Sequence, residues 1–320
     1  MQSCVLAIDG GGSKTVCVVA TLNGKVLGRG SGGTTNPNLV SAPEIKASLQ
    51  KAIQEAIHDH PEIQIEAVCV GIAGVGASEE KQTEVRNVIW EILSTLPFCR
   101  MLSERFNPSL NIEIVTDAVI ALVAGAGVRH GIVAISGTGS VIYGETIKGQ
   151  KIKVGGWGCL LDEGSGYAIG RIALKEILRA YEVFGKITHL AKLILNAWNL
   201  SSVQDIVNHI YQKATKPTDI ANLAKIVNSA ANAGDDSARD ILRKAANELY
   251  YNISAATSQM NFGKDGATLV LSGGVLMNIE MVREIIIERV RAELPVITSI
   301  QLCREPVNGA VILALKNCSS

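Results

Sequence analysis

The sequence predicts an α/β protein in which one structural unit occurs twice. Short apolar runs typical of strands alternate with longer segments that have the spacing of amphipathic helices. Their order is the same in both halves of the chain: three strands, then a helix, a strand, a helix, a strand and a helix. Each half also carries a turn of glycine and other small residues between its first two strands. Together these observations indicate two duplicated domains with mixed sheets.

In the first half, apolar and β-branched runs predict the strands, and longer periodic segments predict the helices. Asn23-Gly24 is a strong hairpin signal, and Pro43 suits the first turn of a helix. The predicted elements are strands at 4–9, 14–21 and 25–31, a helix at 43–59, a strand at 66–72, a helix at 79–96, a strand at 111–116 and a helix that Asp117 opens.

The second half repeats this order and adds helices in its middle. The predicted elements are strands at 131–136, 140–145 and 151–154, extra helices between about 170 and 262, a strand at 268–271, a helix at 278–293, a strand at 299–303 and a helix at 306–316. We therefore expect a first domain at 1–117 and a second at 118–320, with a helical insertion at about 170–262.

Composition narrows the class of protein. A chain of 320 residues that is 47% hydrophobic suits two packed domains. Lys and Arg number 30, as do Asp and Glu, so charge gives no case for a nucleic-acid partner. No secretory signal is evident, and the apolar stretch 118–135 is too short and too interrupted to span a membrane. The seven cysteines include no CxxC pair, which favours reduced thiols and a cytoplasmic location.

The stretch LAIDGGGSKT, residues 6–15, has the composition of a phosphate-binding loop. A Walker A loop requires glycine where Ser13 stands, and a dinucleotide-binding fingerprint requires glycine or alanine where Thr15 stands. Both motifs also open a helix, whereas this stretch is followed by a predicted strand. The pattern that fits is a glycine-rich turn between antiparallel strands, whose backbone N–H groups bind phosphate.

This turn yields the first set of candidate residues. Asp9, at the end of the first strand, is placed to hold Mg²⁺ through water, because Mg²⁺ keeps much of its hydration shell. The predicted phosphate-binding residues of this turn are Gly11, Gly12, Ser13, Lys14 and Thr15.

The second half has a counterpart in VAISGTGSVIYG, residues 133–144, where Gly137, Thr138 and Gly139 are predicted to bind phosphate. Two such hairpins in two similar domains predict a nucleotide in a cleft between them. A glycine pair, Gly273 and Gly274, lies between a predicted strand and a helix. That position binds ligands in open α/β sheets and suits the adenosine part of the nucleotide.

With these motifs the chain resembles the sugar-kinase, actin and Hsp70 superfamily of ATPases. Within it, the chain is similar to the N-acetylglucosamine kinase branch, grouped with the BadF/BadG/BcrA/BcrD ATPases. The resemblance covers nearly the whole chain and is carried by IDGGGSKT, GGTTNPN, VTDA, ISGTGS, GGWGCLLDEGSGY and LSGGVLMN. It implies two duplicated ribonuclease-H-like domains (the actin-like ATPase fold), with the last helix, 306–320, packed on the first domain. It also implies ATP and Mg²⁺ as cofactors and a homodimer.

The resemblance further implies transfer of the γ-phosphate of ATP to the 6-hydroxyl of an amino sugar. Asp117, in VTDA, matches the catalytic base, whereas the residues alone favour a helix cap at this position. Asp162 and Glu163 could likewise be acids that favour the start of a helix. The positions that match the sugar site are Thr35, Asn36, Asp117, Thr138, Gly139, Trp157 and Asp162.

Two departures from the family pattern leave the sugar open. The segment WGCLLDEG lacks a glycine that usually precedes Asp162, and Ala73 supplies no hydroxyl where some relatives have one. N-acetylglucosamine is the first expectation, with glucosamine and N-acetylmuramic acid as alternatives. Less favoured rivals are an ATPase activator of a 2-hydroxyacyl-CoA dehydratase, which needs a cysteine that VAIS lacks, and a nucleotide-switched binding module.

Overall fold

The computed structural model describes residues 2–76, 78–95, 110–212 and 215–318. These residues form ten strands and eleven helices in two compact units. The first unit contains the chain up to Arg129 and again from Glu305, and the second runs from His130 to Arg304. The domain limits 1–117 and 118–320 stay a prediction; the limits of the two compact units differ from them. The predicted ends of two helices, residue 96 and residues 319–320, lie outside the described residues.

The first unit is built on a five-stranded mixed sheet. Its elements are β1 Gln2–Gly10, β2 Thr15–Thr21, β3 Val26–Gly32, α1 Ala42–Ile57, β4 Ile63–Ile72, α2 Glu79–Thr95, β5 Asn111–Val115, α3 Asp117–Ala126 and, from the end of the chain, α11 Val307–Cys318. The strand order is β3-β2-β1-β4-β5. Strands β1 to β3 are antiparallel, whereas β1, β4 and β5 run parallel, so the carboxyl ends of these three strands share one edge.

Alternation along β1 explains how this sheet is covered on both faces. Cys4, Leu6 and Ile8 belong to a buried cluster with apolar residues of α1 and α2. Val5 and Ala7 point to the opposite face and are also fully buried, and α11 packs on β1, β4 and α3. A strand that is apolar at every position is expected when both faces are covered.

The second unit repeats the same sheet. Its elements are β6 Gly131–Ser136, β7 Ser140–Glu145, β8 Lys151–Gly155, α4 Gly166–Phe184, α5 His189–Ala197, α6 Val203–Ile210, α7 Pro217–Asn232, α8 Asp236–Ser258, β9 Ala267–Ser272, α9 Gly274–Asn278, α10 Glu280–Glu293 and β10 Ile297–Cys303. The strand order β10-β9-β6-β7-β8 mirrors that of the first unit, and β6 to β8 are again antiparallel. The predicted fold class, two duplicated α/β units with mixed sheets, is confirmed.

Five consecutive helices, α4 to α8, stand where the first unit has only α1. The predicted helix at 278–293 is wrong at its start, because helical structure begins at Gly274 and is interrupted by extended backbone at Ile279. Within the described ranges, no helix combines the length and the apolar character that crossing a membrane requires.

Candidate active site

The first glycine-rich stretch forms the turn between β1 and β2. Gly10 pairs with Thr15 across the hairpin, and Gly11 N donates a hydrogen bond to Lys14 O at 2.9 Å. The side chains of Ser13 and Lys14 are exposed. A strand, and not a helix, follows the turn, so the geometry differs from that of a Walker A loop.

Hydroxyl groups join this hairpin to the segment that carries Thr35. Thr15 and Thr35 are fully buried, and their Oγ1 atoms lie 3.1 Å apart. Thr15 Oγ1 donates to Gly33 O at 2.7 Å, and Thr34 Oγ1 donates to Gly11 O at 3.0 Å. The structure therefore brings the predicted phosphate turn and the predicted sugar segment together, and it gives the two buried threonines a positioning role.

Asn36 lies against a second segment that contains Gly74. A Cβ atom added at Gly74 would stand 2.4 Å from Asn36 Oδ1 and 3.0 Å from Asn38 Nδ2, and the φ of Gly74 is +83°. The positive φ favours glycine there, and a Cβ would displace the side chains of Asn36 and Asn38. Lys81 Nζ donates to Asn38 Oδ1 at 3.2 Å and lies 3.5 Å from Gly74 O. No local sequence motif marks Lys81 as a residue of this cluster.

Asp9 and Asp117 occupy neighbouring positions at the carboxyl edge of the first sheet. Asp9 in β1 pairs with Gly71 in β4, which in turn pairs with Val115 in β5. Asp117 then begins α3, whose N-cap is Thr116: its Oγ1 accepts a hydrogen bond from Val119 N. The cap is therefore a threonine hydroxyl. The carboxylate of Asp117 accepts a hydrogen bond from Ala118 N at 3.0 Å.

The environment of Asp9 disfavours its charge. The pKa of Asp9 is raised from its usual 3.8 to about 7. Burial is the largest cause, the negative charge of Asp117 raises the pKa further, and Lys14 lowers it. Among the described residues, no cluster of three or more His, Cys, Asp or Glu side chains could hold a metal ion. Mg²⁺ commonly uses only one or two carboxylates together with water and substrate phosphates, so the chemistry of Asp9 beside Asp117 fits it.

Replacing Asp9 by Asn is expected to stabilise the nucleotide-free protein at pH 8 but not at pH 4. Between pH 4 and 7 the folded protein retains a proton that the unfolded chain has lost, so stability falls as pH rises through this window. The variant avoids that loss, which at pH 8 is on the order of 4 kcal/mol, or several degrees in Tm. Thermal unfolding with a chelator present measures it.

The matched control for this prediction is Asp265→Asn, which removes a carboxylate from an exposed turn. It should change Tm equally little at both pH values. A gain for Asp9→Asn that is the same at pH 4 and pH 8 would contradict the raised pKa.

The second glycine-rich turn joins β6 to β7. Gly137 N donates to Gly139 O at 2.9 Å within the turn. The first two backbone amides of α4 also bond to this turn: Gly166 N donates to Gly137 O at 2.8 Å, and Tyr167 N donates to Thr138 O at 3.2 Å. The turn that carries the predicted residues Gly137, Thr138 and Gly139 is therefore fixed by the start of α4.

Asp162 organises the adjacent turn that carries Trp157. Its buried carboxylate accepts hydrogen bonds from Trp157 N at 2.9 Å and from Gly158 N at 3.0 Å. A Cβ at Gly139 would lie 3.4 Å from Asp162 Oδ2, so this turn lies beside the β6–β7 turn. Trp157 is 78% exposed, and Lys153 Nζ lies 5.4 Å from the centroid of its ring. Glu163 forms an ion pair with Arg171.

Gly273 lies where β9 passes into α9. Its φ is +92°, and a Cβ would stand 2.3 Å from Ser136 O, so no other residue fits without displacing β6. The predicted adenosine positions, Gly273 and Gly274, are thus close to the end of β6, which the β6–β7 turn follows.

The fold and these turns define a class of protein. Two units with the same mixed sheet, each with a small-residue turn after its first strand, are the architecture of the actin-like ATPases and sugar kinases. A model of the BadF/BadG/BcrA/BcrD ATPase family matches residues 6–314. The chain belongs to that family, and the predicted family is confirmed.

Curated relatives match the chain over nearly its whole length. An N-acetylmuramic acid/N-acetylglucosamine kinase of Clostridium acetobutylicum is 34% identical over 317 residues, which are 98% of this chain and 99% of the relative. An N-acetyl-D-glucosamine kinase of Dictyostelium discoideum is 29% identical over 325 residues, 98% of each protein.

Solved structures share the fold. A candidate N-acetylglucosamine kinase of Porphyromonas gingivalis is 23% identical and superposes with a TM-score of 0.73, covering 98% of this chain and 99% of that one. A ROK family glucokinase of Streptomyces griseus, solved with glucose and AMPPNP, is 19% identical with a TM-score of 0.60, covering 97% and 98%. At these identities the likeness concerns the fold alone.

Proposed function

We propose that the protein is an ATP-dependent kinase that phosphorylates the 6-hydroxyl of an amino sugar, with N-acetylglucosamine as its first substrate. The predicted enzyme class, a phosphotransferase that acts on an amino sugar, is borne out by the curated relatives. The observation that supports the proposal most directly is the pair of carboxylates, Asp9 and Asp117, at the carboxyl edge of one sheet.

Asp117 is the proposed catalytic base. A sugar hydroxyl is a poor nucleophile, and a carboxylate within hydrogen-bond reach accepts its proton as the phosphoryl group is transferred. Because Thr116 supplies the cap of α3, the fold does not need Asp117 for that purpose. The start of a helix also favours a negative charge at this position.

The two turns are the proposed phosphate-binding groups. Gly11, Gly12, Ser13, Lys14 and Thr15 form the turn of the first unit, and Gly137, Thr138 and Gly139 form that of the second. Backbone N–H groups in turns of small residues approach phosphate oxygens closely. Asp9 would hold Mg²⁺ through water, and the ion would neutralise charge on the transferred phosphoryl group. Gly273 and Gly274 would contact adenosine.

The predicted sugar-binding residues fall into two groups, one in each unit. In the first unit, Asn36 stands with Asn38, Gly74 and Lys81 in one polar cluster, and Thr35 is buried beneath it. In the second, Thr138 and Gly139 lie beside the turn that Asp162 organises. That turn leaves Trp157 exposed, and an exposed indole suits the apolar face of a sugar ring.

N-acetylmuramic acid is the second candidate substrate. It is N-acetylglucosamine with a lactyl ether at its 3-hydroxyl, so it adds one carboxylate. The Clostridium acetobutylicum relative is named for both sugars, and Lys81 supplies a cation next to the proposed sugar segment. Glucosamine remains an alternative from the sequence. A cytoplasmic location and a homodimer likewise remain predictions.

A panel of acceptors tests the proposal. ADP release would be measured with ATP and Mg²⁺ and with N-acetylglucosamine, glucosamine, N-acetylmuramic acid, N-acetylmannosamine, glucose or no sugar. We expect turnover that depends on the sugar and is highest with N-acetylglucosamine, and none with its 6-deoxy analogue. ADP release that no sugar raises above the sugar-free rate would refute the kinase and favour a nucleotide-switched module.

A further inference from the structure

Lys81 lies where the first turn of α2 meets the proposed sugar segment. Its side chain is partly buried, and its Nζ atom donates to Asn38 Oδ1 at 3.2 Å. Gly74 O lies 3.5 Å from the same nitrogen. Asn36 Oδ1 and Asn38 Nδ2 stand against the same glycine, so the ammonium group belongs to one cluster with a predicted sugar-binding residue.

Among the described residues, the hydrogen bonds of Lys81 Nζ go only to neutral oxygen atoms. Its acceptors are an amide and a backbone carbonyl, and none of the ion pairs among the described residues includes it. Glu79 and Glu80, its neighbours on α2, are exposed. An ammonium group with only neutral partners gains more from an arriving carboxylate than one already paired, because charge-assisted hydrogen bonds are about twice as strong as neutral ones.

We propose that Lys81 determines specificity for an amino sugar that carries a carboxylate on its 3-oxygen, the group that distinguishes N-acetylmuramic acid from N-acetylglucosamine. This inference rests on the proposed function. Lys81 binds the carboxylate and takes no part in phosphoryl transfer. Asn38 holds the ammonium group near Asn36 before the sugar binds, so little side-chain entropy is lost on binding.

Lys153 is the rival cation. It lies near the Trp157 ring and donates to Gly156 O at 2.9 Å, beside the other proposed part of the sugar site. The hydrogen bonds of both ammonium groups are exposed to solvent, so screening by water and salt acts on both. Lys81 is less exposed and bonds to the segment that contains Asn36, which favours it as the specificity residue.

The test compares kcat/KM for the two sugars in the full-length protein and in Lys81→Gln. We expect the variant to lose at least about tenfold more kcat/KM with N-acetylmuramic acid than with N-acetylglucosamine, which corresponds to about 1.4 kcal/mol. The difference should lie in KM, and Lys81→Arg should restore part of it. Loss of the hydrogen bond to Asn38 changes kcat/KM for both sugars alike, so this structural effect cancels in the ratio of the two kcat/KM values.

Lys264→Gln is the matched control, because Lys264 is exposed and takes part in none of the ion pairs among the described residues. It should leave the ratio unchanged. Three outcomes would overturn the inference while leaving the kinase in place. The first is an equal loss of kcat/KM with both sugars in Lys81→Gln, and the second is a shift in the kcat/KM ratio of the two sugars in Lys153→Gln instead. The third is a wild type that phosphorylates N-acetylglucosamine but not N-acetylmuramic acid. A wild type that phosphorylates no amino sugar would overturn both.

Discussion

Replacing Asp117 by Asn is expected to lower kcat for amino-sugar phosphorylation by roughly 10²–10⁴-fold. The variant keeps the size of the side chain and an oxygen that can accept from Ala118 N, but it removes the group that takes the proton from the sugar hydroxyl. The KM values should change far less than kcat, because the lost interaction develops only as the proton moves. Steady-state ADP release at saturating sugar and ATP measures the effect.

Thr116→Ala is the control that separates catalysis from folding. It removes the hydroxyl that caps α3, which is expected to cost about 1 kcal/mol of stability, but it leaves the carboxylate in place. We therefore expect Asp117→Asn to lose activity with little change in Tm, and Thr116→Ala to lower Tm with a far smaller loss of activity. If both variants lose activity in proportion to their stability, Asp117 is a structural residue and not the base.

The repeated fold could be predicted from the sequence because its signals are local. Apolar runs and turn residues mark each strand wherever it pairs, and the order of elements survives errors at their ends. The ends themselves depend on distant partners. Strand β4 begins at Ile63, before the predicted start at residue 66, because Ile63 pairs with Gln2 of β1. No property of residues 63–65 alone reveals that pairing.

The candidate site could be predicted only in parts. Sequence patterns marked Asp9 and Asp117 separately, but their electrostatic coupling depends on the sheet order β1-β4-β5, which brings residues from distant parts of the chain to one edge. The burial of Thr15 and Thr35 against each other is also a long-range contact. Lys81 could not be predicted as a site residue, because lysine is common on helix surfaces and only the folded structure shows its contact with Asn38.

The glycines of β3 show a similar limit: the strand is predicted at 25–31, but its sequence does not reveal what the glycines contact. In the structure Gly28, Gly30 and Gly32 lie on the face of β3 that packs against α1, and they let the helix approach very closely. Cβ atoms added at these positions would stand 1.9, 2.0 and 2.2 Å from the carbonyl oxygens of Ala56, Ala52 and Ser48. Glycines two residues apart on the strand therefore face carbonyl oxygens four residues apart on the helix.

Gly30→Ala is therefore expected to destabilise the protein by about 3 kcal/mol or more, at the upper end of the effects of overpacking. Its Cβ would also lie 2.6 Å from Ala56 N, so the added atom meets helix backbone that cannot rotate away as a side chain can. The helix must move off the sheet, which exposes the apolar contacts beneath it. Denaturant unfolding of the full-length protein measures the loss as a lower midpoint.

Gly12→Ala is the matched control, because it makes the same substitution where a Cβ has room: the nearest atom in that case is Leu39 Cδ1 at 3.5 Å. Its midpoint should stay close to that of the wild type, whatever its effect on ATP binding. Ser31→Ala tests the neighbouring position of the same strand, whose side chain is exposed, and should also have a small effect. If Gly30→Ala were as stable as these two, the close approach of α1 to β3 would not be a property of the folded protein in solution.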